Sequence, residues 1–229
     1  MNNVMNITKL SYTNLWSMRK MLVSILIFIP ISALNLFILN MIIPITVYNF
    51  TYQVMAYEDK DSIDTLISYL PVTKKEYILS RYVLAFINLL IGITFFTLGY
   101  IFILMVKKYS FVFGIQFDIM DFGFQTTYLQ QGVLGVITAI LSISALIPFI
   151  IKFGSIKGRY ISMFVLMIFL FGAIALQENI DNVITQTLIS LNNINLILLT
   201  ALITIVVLTI SYILSKMMYK TKEVSSDNK

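Results

Sequence analysis

The sequence contains no cysteine and no histidine, and only 12% of its 229 residues are charged. Without cysteine, disulfides and thiolate-bound metals are excluded, and without histidine the commonest metal ligand and general base is missing. We therefore expect no catalytic residue and no metal site in this chain. The charged fraction lies far below the soluble average of about a quarter, which argues against a soluble globular protein.

Long apolar runs make up most of the chain instead. Hydrophobic residues account for 59% of the sequence, and its mean hydropathy is +0.89. Runs of about 20 apolar residues are typical of membrane-spanning helices, whereas outer-membrane barrels show alternating segments of about 10 residues. We therefore predict an all-α integral membrane protein. The net charge of +5 is read as a signal of membrane orientation, and no nucleic-acid partner is expected.

The charge-free runs predict six membrane spans. The first run, from Met21 to Ala56, is 36 residues long. As a helix it would measure about 54 Å, too long for one crossing of a hydrocarbon core of about 30 Å, so we interpret it as two spans joined by an outer turn near residues 35–40. The expected spans are 21–38, 40–56, 82–106, 132–151, 160–176 and 196–215. They form one transmembrane domain, 1–216, followed by a polar tail, 217–229, that we expect to be disordered.

The basic residues indicate how these spans are oriented. Three of the 16 lysines and arginines lie in residues 1–20, four in 57–82, three in 152–159 and four in 216–229, against two elsewhere. Cytoplasmic loops carry an excess of lysine and arginine. We therefore expect a multi-pass protein of the cell membrane with both termini in the cytoplasm.

The segment before the first span has its own pattern. Its apolar residues at near-helical spacing, with two aromatic neighbours, are Ile7, Leu10, Leu15, Met18, Tyr12 and Trp16. Aromatic rings favour the headgroup level of a bilayer, so we expect an interfacial helix in contact with membrane lipid. A frayed cytoplasmic tail is the alternative.

A charged elbow, residues 57–82, separates the second and third spans. Its apolar stripe consists of Ile63, Leu66, Ile67 and Leu70, and its acidic side of Glu58, Asp59, Asp61 and Asp64. Asp61 suits a helix N-cap and Pro71 ends the pattern, so we predict a short amphipathic helix over 61–70. Acidic residues are poorly placed against an anionic inner leaflet, which favours a protein docking site over a helix that lies on lipid.

The helix of the third span has a separate start signal. Thr73 and Glu76 have the spacing of a capping box, in which the threonine hydroxyl accepts from the glutamate amide and the glutamate reaches back to the threonine amide. We therefore expect this helix to begin in the cytoplasm, before it enters the membrane.

Two segments carry a resemblance to a known family. In the elbow they include Tyr57-Glu58-Asp59, the run SYLPVTKKE at 68–76 and Ser80-Arg81-Tyr82; after the fourth span they include IPF at 147–149, KFG at 152–154 and KGRY at 157–160. Together with six spans, this pattern resembles the permease subunits of type-2 ABC exporters. Within that family it is most similar to the small Gram-positive permeases of the phenol-soluble modulin and bacteriocin-immunity exporter group.

The resemblance implies that the helix at 61–70 is a coupling helix that rests on a separate ABC ATPase, with the stripe and acidic side as the docking residues. ATP and magnesium would be bound by that ATPase, because this chain lacks the G-x-x-x-x-G-K-[ST] phosphate-binding motif. The resemblance also implies a second permease, identical or related. It further implies export of an amphipathic or hydrophobic peptide, or a lipid-like substrate, by alternating access.

Other functions are also compatible with the sequence. A secondary transporter would bury ionisable residues in its spans, and the spans bounded above contain none. A non-transporting membrane scaffold or immunity protein is a further alternative, whereas an intramembrane enzyme lacks its H-E-x-x-H or triad residues. Asn49, Gln53 and Asn88 are candidates to line a conduit, with interhelical hydrogen bonding as their alternative role.

Overall fold

Helices form all the regular structure in the described part of the chain. The computed structural model describes residues 2–17, 36–60, 73–112, 128–164, 167 and 193–226. The helices are α1 (Asn2–Ser17), α2 (Leu36–Lys60), α3 (Lys74–Val112), α4 (Tyr128–Phe153), α5 (155–164) and α6 (Asn193–Ser226). The prediction of an all-helical protein is confirmed over these ranges.

α2 lies between α3 and α4 and runs antiparallel to α3. Gly92 permits a close approach of α2 and α3, because a β-carbon at this position would lie 3.2 Å from Val47 Cγ2. Ile43, Val47 and Ile147 have no exposed surface and belong to one apolar cluster. The polar side chains of α2 are therefore largely enclosed by neighbouring helices.

α1 packs beside the first half of α3 and runs in the same direction. Thr8 lies against the Ser80 carbonyl, and one turn later Tyr12 reaches Asn88. The buried face of α1 comprises Val4, Ile7, Thr8 and Ser11. Ile7, predicted to share a lipid-facing stripe with Leu10, is instead buried, whereas Leu10 is 45% exposed and available to lipid.

The connection between α4 and α5 is a tight turn built on two glycines. Gly154 has a φ of 80°, a left-handed conformation that glycine adopts without a steric penalty, and its N–H donates to the Ile150 carbonyl at 2.8 Å. Gly158 lies against the same turn of α4, because a β-carbon there would be 2.7 Å from Ile150 Cα. This close contact fixes the start of α5 on the end of α4.

α6 has an inside-out distribution of side chains. Its buried positions include Thr200, Ser211 and Ser215, whereas Leu202 and Ile205 are 60% and 67% exposed. Small hydroxyl residues between helices and large apolar residues outside are typical of helices that pack in a membrane. Three described helices are long and apolar enough to cross a membrane, at Lys75–Val106, Gly132–Phe153 and Ile194–Tyr219.

Several predicted boundaries change. Residues 36–40, predicted to lie in an outer turn, are helical because α2 already begins at Leu36. Residues 217–226 of the tail predicted to be disordered are helical too, and Tyr219 packs on Tyr77 of α3. Most of the predicted spans 21–38 and 160–176 lies outside the described residues, so a total of six spans stays a prediction.

Candidate functional site

The first turn of α3 is fixed by hydrogen bonds between Thr73 and Glu76. The Thr73 amide donates to Glu76 Oε2 at 2.8 Å, and the Glu76 amide donates to the Thr73 hydroxyl at 3.4 Å. The other carboxylate oxygen of Glu76 accepts from Asn3 Nδ2 of α1 at 3.4 Å. These reciprocal contacts are those of a capping box. They define the point at which the segment preceding α3 enters the bundle.

A buried ion pair joins the end of α2 to the start of α3. Arg81 Nη1 lies 2.5 Å from Glu58 Oε2, and the two side chains are 1% and 4% exposed. The Ser11 hydroxyl of α1 donates to Glu58 Oε1 at 2.6 Å and accepts from Arg81 Nη1 at 3.2 Å. Burial of charges is costly unless they are paired and hydrogen-bonded. The three side chains therefore act as one unit, which we call the Arg81 cluster.

Aromatic residues extend this cluster to α6. The Arg81 guanidinium lies over the Tyr77 ring, 4.4 Å from its centroid, an arrangement in which the ring face attracts the cation. The Tyr77 ring in turn packs against Tyr219 near the end of α6, at 6.5 Å between centroids. The end of α6 is therefore held against the same end of the bundle as the elbow.

Next to the Arg81 cluster, hydrogen bonds between hydroxyl groups connect α3 to α6, and a further one connects α6 to α4. Tyr82 OH lies 2.7 Å from both Ser211 Oγ and Ser215 Oγ. The Ser211 hydroxyl donates to the Ser144 carbonyl of α4 at 2.9 Å. Tyr82 thus bridges two turns of α6, and these contacts secure α6 beside α3.

The predicted docking residues are only partly described. Asp59 lies in the last turn of α2, whereas Asp61, Ile63, Asp64, Leu66, Ile67 and Leu70 lie outside the described residues. Glu58 needs a correction: it was predicted to face a docking protein, but it is 3% exposed and its carboxylate is taken up by Arg81 and Ser11. We therefore remove Glu58 from the docking set.

The predicted conduit residues have different surroundings. Asn88 has no exposed surface; its Oδ1 accepts from Tyr12 OH at 2.6 Å, and its Nδ2 donates to Thr51 Oγ1 at 3.1 Å. Burial raises the pKa of Tyr12, so its hydroxyl stays protonated as the donor. Asn88 thus links α1, α2 and α3 by interhelical hydrogen bonds. Asn49 donates to a carbonyl within its own helix and, like Gln53, is half-buried.

A second cationic contact forms where α5 crosses α2. Arg159 lies over the Tyr52 ring at 4.8 Å from its centroid, and Tyr48 OH lies 3.3 Å from Ser162 Oγ. The α4–α5 turn therefore meets α2 within two turns of the Arg81 cluster. In the described parts of the chain, no three metal-binding residues of the His, Cys, Asp and Glu types come together.

Within the Arg81 cluster, Arg81 and Ser11 were not predicted from the sequence as functional residues. Arg81 was placed just before the third span, but the apolar helix at Lys75–Val106 includes it, so the inference that the spans hold no ionisable residue depends on where the boundary is drawn. A signal for the pair exists: Glu58 and Arg81 have opposite charges and flank the elbow at its two ends.

The described helices are apolar, their polar contacts are turned inward, and many of their large aliphatic side chains are turned outward. These features are those of a helical membrane protein. The family model described as ABC-2 family transporter protein matches residues 7–220. The chain belongs to this ABC-2 family, the membrane components of ABC transporters, which lack an ATPase domain of their own and work with an ATPase partner. No curated protein and no solved structure matches the chain.

Proposed function

We propose that this chain is the permease of an ATP-driven exporter that moves an amphipathic or hydrophobic peptide, or a lipid-like substrate, out of the cell by alternating access. A separate ATPase docks on the predicted coupling helix at 61–70 and binds ATP and magnesium. The permease has six spans, keeps both termini in the cytoplasm and works with a second permease, identical or related. The match to the ABC-2 family over residues 7–220 is the observation that carries this proposal.

The packing around the elbow supports the docking part of the proposal. The Arg81 cluster joins the last turns of α2 to the first turns of α3 on either side of residues 61–72. The hydrogen bonds of Thr73 fix the entry into α3. Movement of the coupling helix would therefore be passed directly to two helices whose ends are connected by the ion pair.

The segments that lie at one end of the bundle support the proposed orientation. The ends of α2 and α6 and the starts of α3 and α5 lie together there, as the contacts of Glu58, Tyr219 and Arg159 require. The same segments carry most of the basic residues, which collect on cytoplasmic faces.

The composition of the spans supports an apolar cargo. The described helices offer Ile, Leu, Phe and Met side chains along their length, and the buried cation Arg81 is already paired with Glu58. Such walls provide no free counter-charge for a strongly charged solute. A substrate with a large apolar surface would gain from transfer into them.

Replacement of Leu66 with aspartate tests the docking claim. Leu66 belongs to the predicted apolar stripe, so a charge there should abolish co-purification of the partner ATPase. Leu66→Met is the matched control, since it keeps an apolar side chain of similar volume in the stripe and should leave binding intact. ATPase binding that is unchanged in Leu66→Asp would contradict the proposal.

A further inference from the structure

The buried ion pair of the Arg81 cluster is not explained by a contribution to folding stability. Replacement of a buried ion pair by apolar residues of similar volume is often neutral or even stabilising, whereas removal of one partner leaves a buried unpaired charge. Arg81 and Glu58 are 1% and 3% exposed, so they form a buried ion pair of this kind. The presence of a charged pair at this position therefore points to a role other than stability.

The cluster is the point where four helices meet through side chains. Ser11 belongs to α1, Glu58 to α2, Arg81 to α3, and Tyr77 carries the contact to Tyr219 of α6. Among the described helices, α1 packs on α2 and α3, whereas α6 packs mainly on α4 and also on α3. Arg81 and its ring partner thus connect the α1 side of the bundle to the α6 side, next to the hydrogen bonds of Tyr82 with Ser211 and Ser215.

The connection to α1 is reinforced on both sides of the cluster. Asn3 contacts Glu76 before it, and Tyr12 contacts Asn88 after it. Because a hydrogen-bonded pair has a defined direction and length, it fixes the rotation of each helix more tightly than apolar contact does. α1 is therefore oriented relative to α3 by polar contacts over the whole length that they share.

We propose that the Arg81 cluster is a joint that transmits movement of the 61–72 segment to α1 and α6 as well as to α2 and α3. Arg81 and Glu58 are then positioning residues for transport, and Ser11 ties the N-terminal helix to the same movement. This inference rests on the proposed function, in which an ATPase moves the 61–72 segment.

The test uses the full permease–ATPase complex in proteoliposomes with a fluorescently labelled amphipathic helical peptide as the transport probe. One variant replaces both charges with apolar residues (Glu58→Met with Arg81→Met), and a second reverses them (Glu58→Arg with Arg81→Glu). Lys75→Met, at an exposed lysine less than two turns before Arg81 on α3, is the control for loss of a cation.

The apolar pair should fold, bind the ATPase and hydrolyse ATP, but move about ten-fold less peptide per ATP, within the range found for residues that carry coupling. The reversed pair should recover only in part, to about three-fold below the natural protein, because its charges still pair beside Ser11. A glutamate at position 81 loses the contact of the cation with the Tyr77 ring, so the link to α6 is not restored. Transport per ATP that is unchanged in the apolar pair, or no better in the reversed pair than in the apolar pair, would overturn the joint.

A second measurement separates this inference from the proposed function. The chain has no cysteine, so spin labels can be attached uniquely at Asn6 and Met217, which are exposed on α1 and α6. In the permease alone, the natural cluster should give a narrow distance distribution and the apolar pair a broad one. If the natural complex shows no ATP-dependent transport, the proposed function fails; if the two distributions are the same, the joint fails.

Discussion

Replacement of Gly158 with alanine should destabilise the α4–α5 turn. The new β-carbon would lie 2.7 Å from Ile150 Cα and 2.8 Å from Ile150 N. These are backbone atoms, so no rotamer change relieves the clash, and the helices must separate by about 1 Å to reach ordinary contact distances. Overpacking of this kind costs about 1–3 kcal/mol, and alanine returns up to about 1 kcal/mol of helix propensity. Because the clash is with backbone atoms, we expect a cost in the upper part of that range, about 2–3 kcal/mol, and a net loss of about 1–2 kcal/mol.

Thermal unfolding of the purified permease in detergent, followed by fluorescence-detected size-exclusion chromatography, measures this loss. For a chain of this length, the Tm should fall by about 2–8 °C. Gly132→Ala is the matched control: its β-carbon meets the Phe96 ring at 3.1 Å, and a ring can turn away. A Gly158→Ala variant as stable as Gly132→Ala would refute the packing described for the turn.

Two further outcomes are expected. In a double-mutant cycle of Tyr12→Phe and Asn88→Leu, the coupling should be about 0.6 kcal/mol and at most about 1.7 kcal/mol, and strictly additive losses of stability would contradict the hydrogen bond. Because burial raises the pKa of Tyr12, the phenol stays a donor and this coupling should not weaken between about pH 7 and pH 9. In intact cells, an impermeant thiol reagent should label a cysteine placed at Tyr109 but not one at Lys157, both exposed positions; the reverse pattern would overturn the orientation.

The start of α3 is a feature that can be predicted well from the sequence. Thr73 and Glu76 are three residues apart, so the hydrogen bonds between them depend only on local backbone geometry, and the pattern can be read without knowledge of the fold. The turn at 152–159 is similar, because its basic residues and two glycines leave little alternative to a tight connection.

The Arg81 cluster is a feature that could not be predicted from the sequence. The acidic run Glu58-Asp59 looks uniform, yet Glu58 is buried because the direction of α2 turns its carboxylate toward Arg81 and Ser11. Whether Glu58 faces inward depends on how three helices pack. Periodicity within one helix does not contain that information.

The packed face of α1 shows a related limit: Ile7 was predicted to lie with Leu10 on a lipid-facing stripe, yet Ile7 is buried. Hydrophobic periodicity assumes that apolar residues face the protein, but a membrane rewards apolar surface on the outside. Ser11 and Ser215 are therefore buried, whereas Leu10 and Ile205 are exposed. In such helices, small hydroxyl residues are the better guide to the packed face.

The most direct test of the central claim is transport by the purified permease–ATPase complex in inside-out proteoliposomes. The account predicts that a labelled amphipathic peptide accumulates in the lumen when ATP and magnesium are added, and that an ATPase unable to hydrolyse ATP abolishes this accumulation. Accumulation driven by a proton or sodium gradient without ATP, or no ATP-dependent movement across a panel of amphipathic peptides and lipids, would contradict it.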